Sequence, residues 1–246
     1  MRQVYNLPLA SPVVSIALFT DLDGTLTPPE RGRGELPREV DEALRELAKL
    51  IPVAVVTTKE CSLATARVPY AAAYACINGA EVKAGGYVAV AEDLNPEALV
   101  HVAKAAERLD AYVEVKRTTF GSPAGLTIDW RGAGRQPAGL DAVVAEAERR
   151  GLTVLKYGGH PFVDIYATKR DKGDAVRLLR ALLGVSHVVY MGDSENDIPA
   201  WKAADVKILV RHKYNAHLSV EGAIPIPQEE LPNYLRQVAN NIKTSL

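Results

Sequence analysis

Short, wholly apolar runs ending on polar, glycine-containing loops mark both ends of the chain. Ser15–Phe19 (SIALF) and Pro52–Val56 (PVAVV) read as strands buried on both faces, the pattern of a parallel sheet. Between them, Pro37–Leu50 places Val40, Leu44, Leu47 and Leu50 on one helical face, with Pro37 in the first turn, where its missing N–H does no harm. Strand, helix, strand in that order implies a right-handed crossover. The same order returns late in the chain: helix Asp171–Leu183, strand His187–Met191 (HVVYM), helix Asp197–Ala203 and strand Val206–Val210. The two ends are therefore expected to build one α/β sheet.

The middle has a different period. From Ala80 a hairpin is expected through Gly85-Gly86, then a helix at Pro96–Leu109, strands at Tyr112–Lys116 and Leu126–Trp130, a helix at Leu140–Arg150, and strands at Thr153–Tyr157 and Phe162–Tyr166. Helix, strand, strand, given twice, suits a small antiparallel sheet with helices on one face, an α+β module inserted into the α/β core. Gly132-Ala133-Gly134 and Gly158-Gly159 read as loops within it. The expected division is a core of residues 1–80 and 168–246 with an insert at 81–167. A terminal helix is expected at Glu229–Ile242.

Composition narrows the function classes. The 246 residues are 48% hydrophobic and carry a formal net charge of -1, so the chain can bury a large core and has no diffuse cationic field to collect nucleic acid. The opening MRQVYNLPLASPVV lacks the unbroken apolar stretch of a signal peptide, and no later run reaches the roughly 20 apolar residues of a membrane span. Two cysteines, Cys61 and Cys76, suit a reducing compartment and exclude a cysteine-built metal site, with Cys61 read as a small buried residue. The expectation is a cytoplasmic protein with no nucleic-acid or membrane partner.

The chemistry concentrates where strands end. Thr20-Asp21-Leu22-Asp23-Gly24-Thr25 follows the first strand, and Gly192-Asp193-Ser194-Glu195-Asn196-Asp197 follows the strand HVVYM. In an open parallel sheet both loops reach the same ligand-binding edge. Either loop alone could be an ordinary capped turn. Together they would gather Asp21, Asp23, Asp193 and Asp197, and two carboxylates about 4 Å apart repel by about 4 kcal/mol at an effective dielectric of 20. Such a cluster calls for a cation, and an all-oxygen donor set with room for water suits Mg²⁺ better than zinc. Thr57 and Thr58 end the strand PVAVV at the same edge, and Lys172 opens the returning helix, where an ammonium group and a helix N-terminus can both face an anion.

DLDGT at 21–25, Thr57, Lys172 and GDSEND at 192–197, in this order with an insert between the second and third, resemble the haloacid dehalogenase (HAD) superfamily, in its branch with the Cof-type α/β cap (class IIB, C2B). Thr57-Thr58-Lys59, Asn78-Gly79-Ala80 and Asp171-Lys172-Gly173 most resemble the mannosyl-3-phosphoglycerate phosphatases, with sucrose-phosphate and phosphoglycolate phosphatases as relatives by motif. The resemblance implies a Rossmann-like core with a cap, and Mg²⁺-dependent hydrolysis of a small phosphorylated metabolite. By it, Asp21 is the nucleophile and Asp23 the acid and base. Asp21, Asp23 (through its backbone carbonyl), Asp193 and Asp197 attend the metal. Thr57, Thr58, Lys172 and Asn196 hold the phosphoryl oxygens. Arg117, Lys156 and His160 of the cap are expected to contact the rest of the substrate. A phosphomutase or phosphotransferase on the same core is the alternative within enzymes. A phospho-accepting receiver module is the non-enzymatic one, though it has no use for so large an insert. His212, His217 and Tyr214 read as surface or structural residues.

Overall fold

A computed structural model describes residues 15–29, 34–158 and 160–245. The N-terminal segment MRQVYNLPLASPVV and Gly159 of the expected Gly158-Gly159 loop lie outside the described residues. The large sheet has eight strands in the order β12-β11-β10-β1-β2-β3-β4-β5. At its centre β1 (Ile16–Thr20) pairs in parallel with β10 (His187–Gly192) on one side and β2 (Val53–Val56) on the other. The parallel run continues outward through β11 (Val206–Arg211) and β12 (Ala223–Pro227), and on the other flank through β3 (Ala73–Cys76).

Both faces are covered, and the period of two along the strands decides which residue goes where. Leu18, Val53 and Val55 pack under α1 (Arg38–Ala48) and α7 (Leu231–Ser245), whereas Ala17, Phe19, Ala54 and Val56 pack under α5 (Lys172–Leu183) and α6 (Ile198–Ala203). Of the stripe foreseen at Val40, Leu44, Leu47 and Leu50, the first three are buried in α1, joined by Ala43, while Leu50 lies past the helix end and is half-buried.

The inserted sheet runs β6-β7-β9-β8, antiparallel throughout, from β6 (Tyr112–Arg117), β7 (Pro123–Asp129), β8 (Thr153–Lys156) and β9 (Phe162–Tyr166). Helices α3 (Pro96–Ala106) and α4 (Leu140–Arg149) cover one face, where Leu126, Ile128, Val163 and Ile165 form a separate core. The alternate residues of the same strands are left to face the main sheet's strand ends.

Three features differ from the sequence expectation. The hairpin β4 (Glu81–Ala84) and β5 (Tyr87–Val90), assigned above to the insert, extends the main sheet by pairing antiparallel with β3, so the cap sheet and its helices lie between Val90 and Ala167. An exposed edge at β3 would leave a row of unpaired backbone groups, and the hairpin covers it. Helix α2 (Cys61–Arg67), β3 and β12 carry too little periodicity to announce themselves. Cys61 and Cys76, read as reduced, are joined in a disulfide with Cα atoms 5.3 Å apart. The pairing arises because α2 starts beside the end of β3, a neighbourhood that spacing along the chain does not reveal. Among the described residues no helix is long and apolar enough to cross a membrane.

Candidate active site

The first acidic loop is tied to the second before any side chain acts. Asp21 N–H donates to the Met191 carbonyl at 2.9 Å, which carries the hydrogen bonding of β1 one residue past its end toward β10. The chain then turns at Gly24, with φ +87°, where a Cβ would stand 2.2 Å from Asp193 Oδ2. Only glycine admits this approach. At the end of β10, Gly192 allows another: a Cβ there would meet Asp197 Cγ at 2.5 Å.

Asp21 is buried, with Oδ1 3.0 Å from Lys172 Nζ, and Lys172 reaches Asp197 Oδ1 at 2.7 Å. Lys172 is the first residue of α5, held in place by a capping box between Asp171 and Asp174. Asp197 organises the second loop: its Oδ2 accepts the N–H groups of Asp193 at 2.9 Å and Ser194 at 3.1 Å, while Tyr190 donates its hydroxyl to Oδ1 at 2.6 Å. Asp193 accepts the Thr25 hydroxyl on Oδ1 at 2.8 Å and meets His212 Nε2 on Oδ2 at 3.0 Å.

The electrostatics follow from burial. Desolvation pushes the Asp21 carboxyl well above its ordinary value; Lys172 opposes this, while Asp197 and Asp193 add to it. Asp193 is raised for the same first reason, with the His212 hydrogen bond pulling the other way. Burial also works against the charge on Lys172, but the Asp197 and Asp21 carboxylates outweigh it and its pKa is raised. Asp21, Asp193 and Asp197 each bring an oxygen within 4.8 Å of the others, all buried. Lys172 meets Asp21 and Asp197, and among the described residues no second buried ammonium joins it at the three carboxylates, so the cluster is short of positive charge. A divalent cation with oxygen ligands fits that deficit.

Asp23 stands apart from this cluster. Its Oδ1 accepts a 2.7 Å bond from Arg67, whose side chain is 6% exposed, and Lys59 Nζ lies 3.6 Å from Oδ2. Thr57 is buried, and its hydroxyl accepts the Lys59 N–H at 3.2 Å, while Thr58 lines the cleft. Asn196 lines it too, with Oδ1 accepting from Lys172 at 3.1 Å.

Above these loops the uncovered face of the cap sheet closes a cleft of about 720 Å³. The core holds this sheet through carboxylates: Glu60 accepts the Arg117 N–H and Glu81 the Thr119 N–H, both at 2.6 Å. Lys116 and Asp164 face the cleft as a buried ion pair at 3.3 Å, and Asp164 also accepts the hydroxyls of Thr127 and, at 2.9 Å, Tyr157. Burial would raise Asp164, but Lys116 foremost among its partners holds it below its ordinary value. Asn196 Nδ2 donates to the Tyr157 hydroxyl at 3.5 Å, linking cap to core. Nearby, Arg131 grips Asp129 and His217 meets Glu195 at 3.0 Å.

Of the cap residues named from sequence, His160 lines the cleft, its ring tilted 49° to that of Phe162 at 5.7 Å. Arg117 and Lys156 are exposed and do not line it; the Arg117 guanidinium turns back to the Gly121 carbonyl at 3.1 Å. The reason is strand parity. Leu155 packs against the main core, so its neighbour Lys156 points the other way, and in β6 the cleft receives Tyr112, Glu114 and Lys116 instead. Lys59, Arg67, Tyr157, Asp164 and His212 were not foreseen. Alternation could have found Lys116, because Val113 and Val115 pack on the helix-covered side; nothing local marks the others.

No protein-family model and no curated protein matches this sequence. Solved structures do match over nearly the whole chain. A trehalose-6-phosphate phosphatase related protein superposes with a TM-score of 0.66 at 17% identity, covering 94% of this chain and 100% of that one. A phosphatase of the haloalkanoate (HAD) enzyme superfamily from Bacteroides thetaiotaomicron gives 0.66 at 15%, covering 96% and 98%. A subclass IIB sugar phosphatase of the same superfamily gives 0.64 at 16%, covering 94% and 98%. The chain therefore has the capped α/β fold of the HAD phosphatases, a Rossmann-like core with an inserted antiparallel cap.

Proposed function

We propose that the protein is a Mg²⁺-dependent phosphomonoesterase that removes phosphate from a sugar phosphate through an aspartyl phosphate on Asp21. The observation that carries this reading is Asp21 itself: a buried carboxylate at the end of the central strand, 3.0 Å from a fully buried lysine and beneath a cap. A carboxylate oxygen of Asp21 attacks phosphorus, the bond from phosphorus to the substrate oxygen breaks, and Asp23, from the Oδ2 that Arg67 leaves unbonded, supplies the proton to the departing alcohol. Asp23 then takes a proton from the water that attacks the aspartyl phosphate, which releases inorganic phosphate and restores Asp21. Phosphoryl transfer needs positioning and charge neutralisation more than covalent chemistry from the protein. Lys172 supplies one positive charge, and Thr57, Thr58 and Asn196 supply polar groups around it. Mg²⁺, bound by Asp21, Asp193 and the Asp23 carbonyl with Asp197 behind them, would supply the remaining neutralisation.

The cap supports a sugar as the leaving group. Its cleft-lining cations Lys116 and Arg131 are already matched by Asp164 and Asp129, while hydroxyls and the aromatic rings of Tyr157 and Phe162 border the same space. Such a surface exchanges hydrogen bonds with hydroxyl groups and offers little surplus charge to a second anion. Mannosyl-3-phosphoglycerate remains the candidate favoured by sequence motif, and its carboxylate makes it a sharp comparison with neutral sugars.

Phosphate release is measured across neutral sugar phosphates, sucrose phosphate, mannosyl-3-phosphoglycerate and phosphoglycolate, with Mg²⁺ and with excess chelator. The expected result is turnover of a sugar phosphate that stops in chelator and is abolished by Asp21→Asn. Full turnover in chelator, or an Asp21→Asn protein as active as wild type, overturns the proposal.

A further inference from the structure

We infer that His212 is a positioning residue for Asp193, holding the carboxylate in a fixed orientation for the divalent cation through its Nε2–H donor. The inference rests on the reading above that Asp193 binds that cation.

His212 follows β11 and its side chain is 9% exposed. Both ring nitrogens are engaged. Nδ1 accepts the Tyr214 backbone N–H at 3.2 Å, so the proton of the neutral ring belongs on Nε2, which stands 3.0 Å from Asp193 Oδ2. The segment around it is built to deliver that donor. Asn215 accepts the His212 N–H on Oδ1 at 3.0 Å and donates from Nδ2 to the Asp193 and Val210 carbonyls, each at 2.8 Å. Arg211 ties the segment down through the carbonyls of Asn215 at 3.0 Å and Leu218 at 2.7 Å. One loop thus grips Asp193 twice, by its main-chain carbonyl and by its carboxylate.

The choice of donor has a physical consequence. With the Thr25 hydroxyl on Oδ1 and His212 on Oδ2, both oxygens are oriented, yet each keeps a lone pair for a metal. A lysine or arginine at the same place would neutralise the carboxylate and compete with the cation. An imidazole whose Nδ1 accepts the Tyr214 N–H orients the carboxylate through a single N–H donor. Partners of this kind are typically worth about 10- to 100-fold in metal affinity.

The test is calorimetric titration of Mg²⁺ into the protein without substrate, for wild type, His212→Ala, His212→Gln and Asp193→Asn. His212→Ala is expected to bind Mg²⁺ about ten-fold or more weakly. His212→Gln, whose amide N–H reaches as far as Nε2, is expected to stay within about three-fold of wild type. Melting temperatures without metal are expected to change little, which separates positioning from folding. Should His212→Ala fail to fold, His212→Asn is too short to reach Asp193 and takes its place. Wild-type affinity in the alanine or asparagine variant overturns the inference, as does a glutamine variant as weak as the alanine one. A far greater loss for Mn²⁺ than for Mg²⁺ would make His212 a ligand, which also overturns it. A wild-type protein with no saturable Mg²⁺ binding overturns the metal reading itself, and this inference with it.

Discussion

Lys172→Met removes the ammonium group lying 3.0 Å from Asp21 Oδ1 and 2.7 Å from Asp197 Oδ1 while keeping an apolar side chain of similar length. At an effective dielectric near 20, each contact is worth about 6 kcal/mol before desolvation is subtracted. The net loss is smaller, because the lysine no longer has to be buried; taking one partner from a buried pair typically costs about 3–5 kcal/mol. Against a total stability of about 5–15 kcal/mol this is a large fraction. The deficit should also depend on pH. Burial already raises Asp21 above its ordinary value and Lys172 pulls it down, so removing the lysine raises it further. A carboxyl whose folded pKa exceeds its unfolded pKa favours folding below the unfolded value and loses that contribution as pH rises through the folded one. The variant's deficit is therefore largest near neutrality and shrinks on acidification. Urea denaturation followed by circular dichroism, in chelator, at pH about 7.5 and about 5.5, measures both quantities. A deficit below about 1 kcal/mol at both pH values, or one that grows toward acid, would refute the charge argument.

Gly24→Ala forces a Cβ to 2.2 Å from Asp193 Oδ2 at a φ of +87°, so kcat/KM for nitrophenyl phosphate should fall by at least about ten-fold, read by steady-state kinetics. Asp164→Asn should lower kcat/KM for the best sugar phosphate by about ten-fold or more while leaving nitrophenyl phosphate within about three-fold, because it disturbs the cap and leaves Asp21 and Lys172 in place. Arg117→Ala and Lys156→Ala, which do not line the cleft, should leave both substrates within about two-fold; a selective loss on the sugar would return those residues to the substrate site. The double variant Cys61→Ala/Cys76→Ala, which opens a link across 15 residues, should lose about 3 kcal/mol of unfolding free energy, and wild type in reductant should match it.

Much of the centre of the site was legible from local grammar. An apolar run followed by a polar loop marks the end of a buried strand, and parallel strands share one edge, so Asp21, Asp193 and Lys172 could be brought together on paper. The buried cluster of Asp21, Asp193 and Asp197, with Lys172 3.0 Å from Asp21, reflects that logic, whereas the Asp23 side chain, expected in the cluster, is held aside by Arg67. The α1 stripe and the repeated helix-strand-strand order of the cap were legible for the same reason: they are short-range periodicities, set by the covalent geometry of helix and strand.

Tertiary structure decided the rest, because the deciding contacts join residues far apart in the chain. Lys116 meets Asp164 across 48 positions, and His212 meets Asp193 across 19. No local pattern distinguishes His212 from a solvated histidine, and alternation marks Lys116 only once the helix-covered face of β6 is known. The cap face is a sharper case: a shift of one residue in a strand exchanges the cleft face for the helix-covered one, and β6 carries a register shift between Lys116 and Arg117. The Tyr112–Lys116 strand was visible in the sequence, but which of two adjacent cations entered the cleft depended on its pairing with β7. The hairpin Glu81–Val90 and the Cys61–Cys76 bond show the same limit. Their partners were chosen by what lay beside β3 once the sheet had formed, and that is a property of the packed sheet, absent from any segment taken alone.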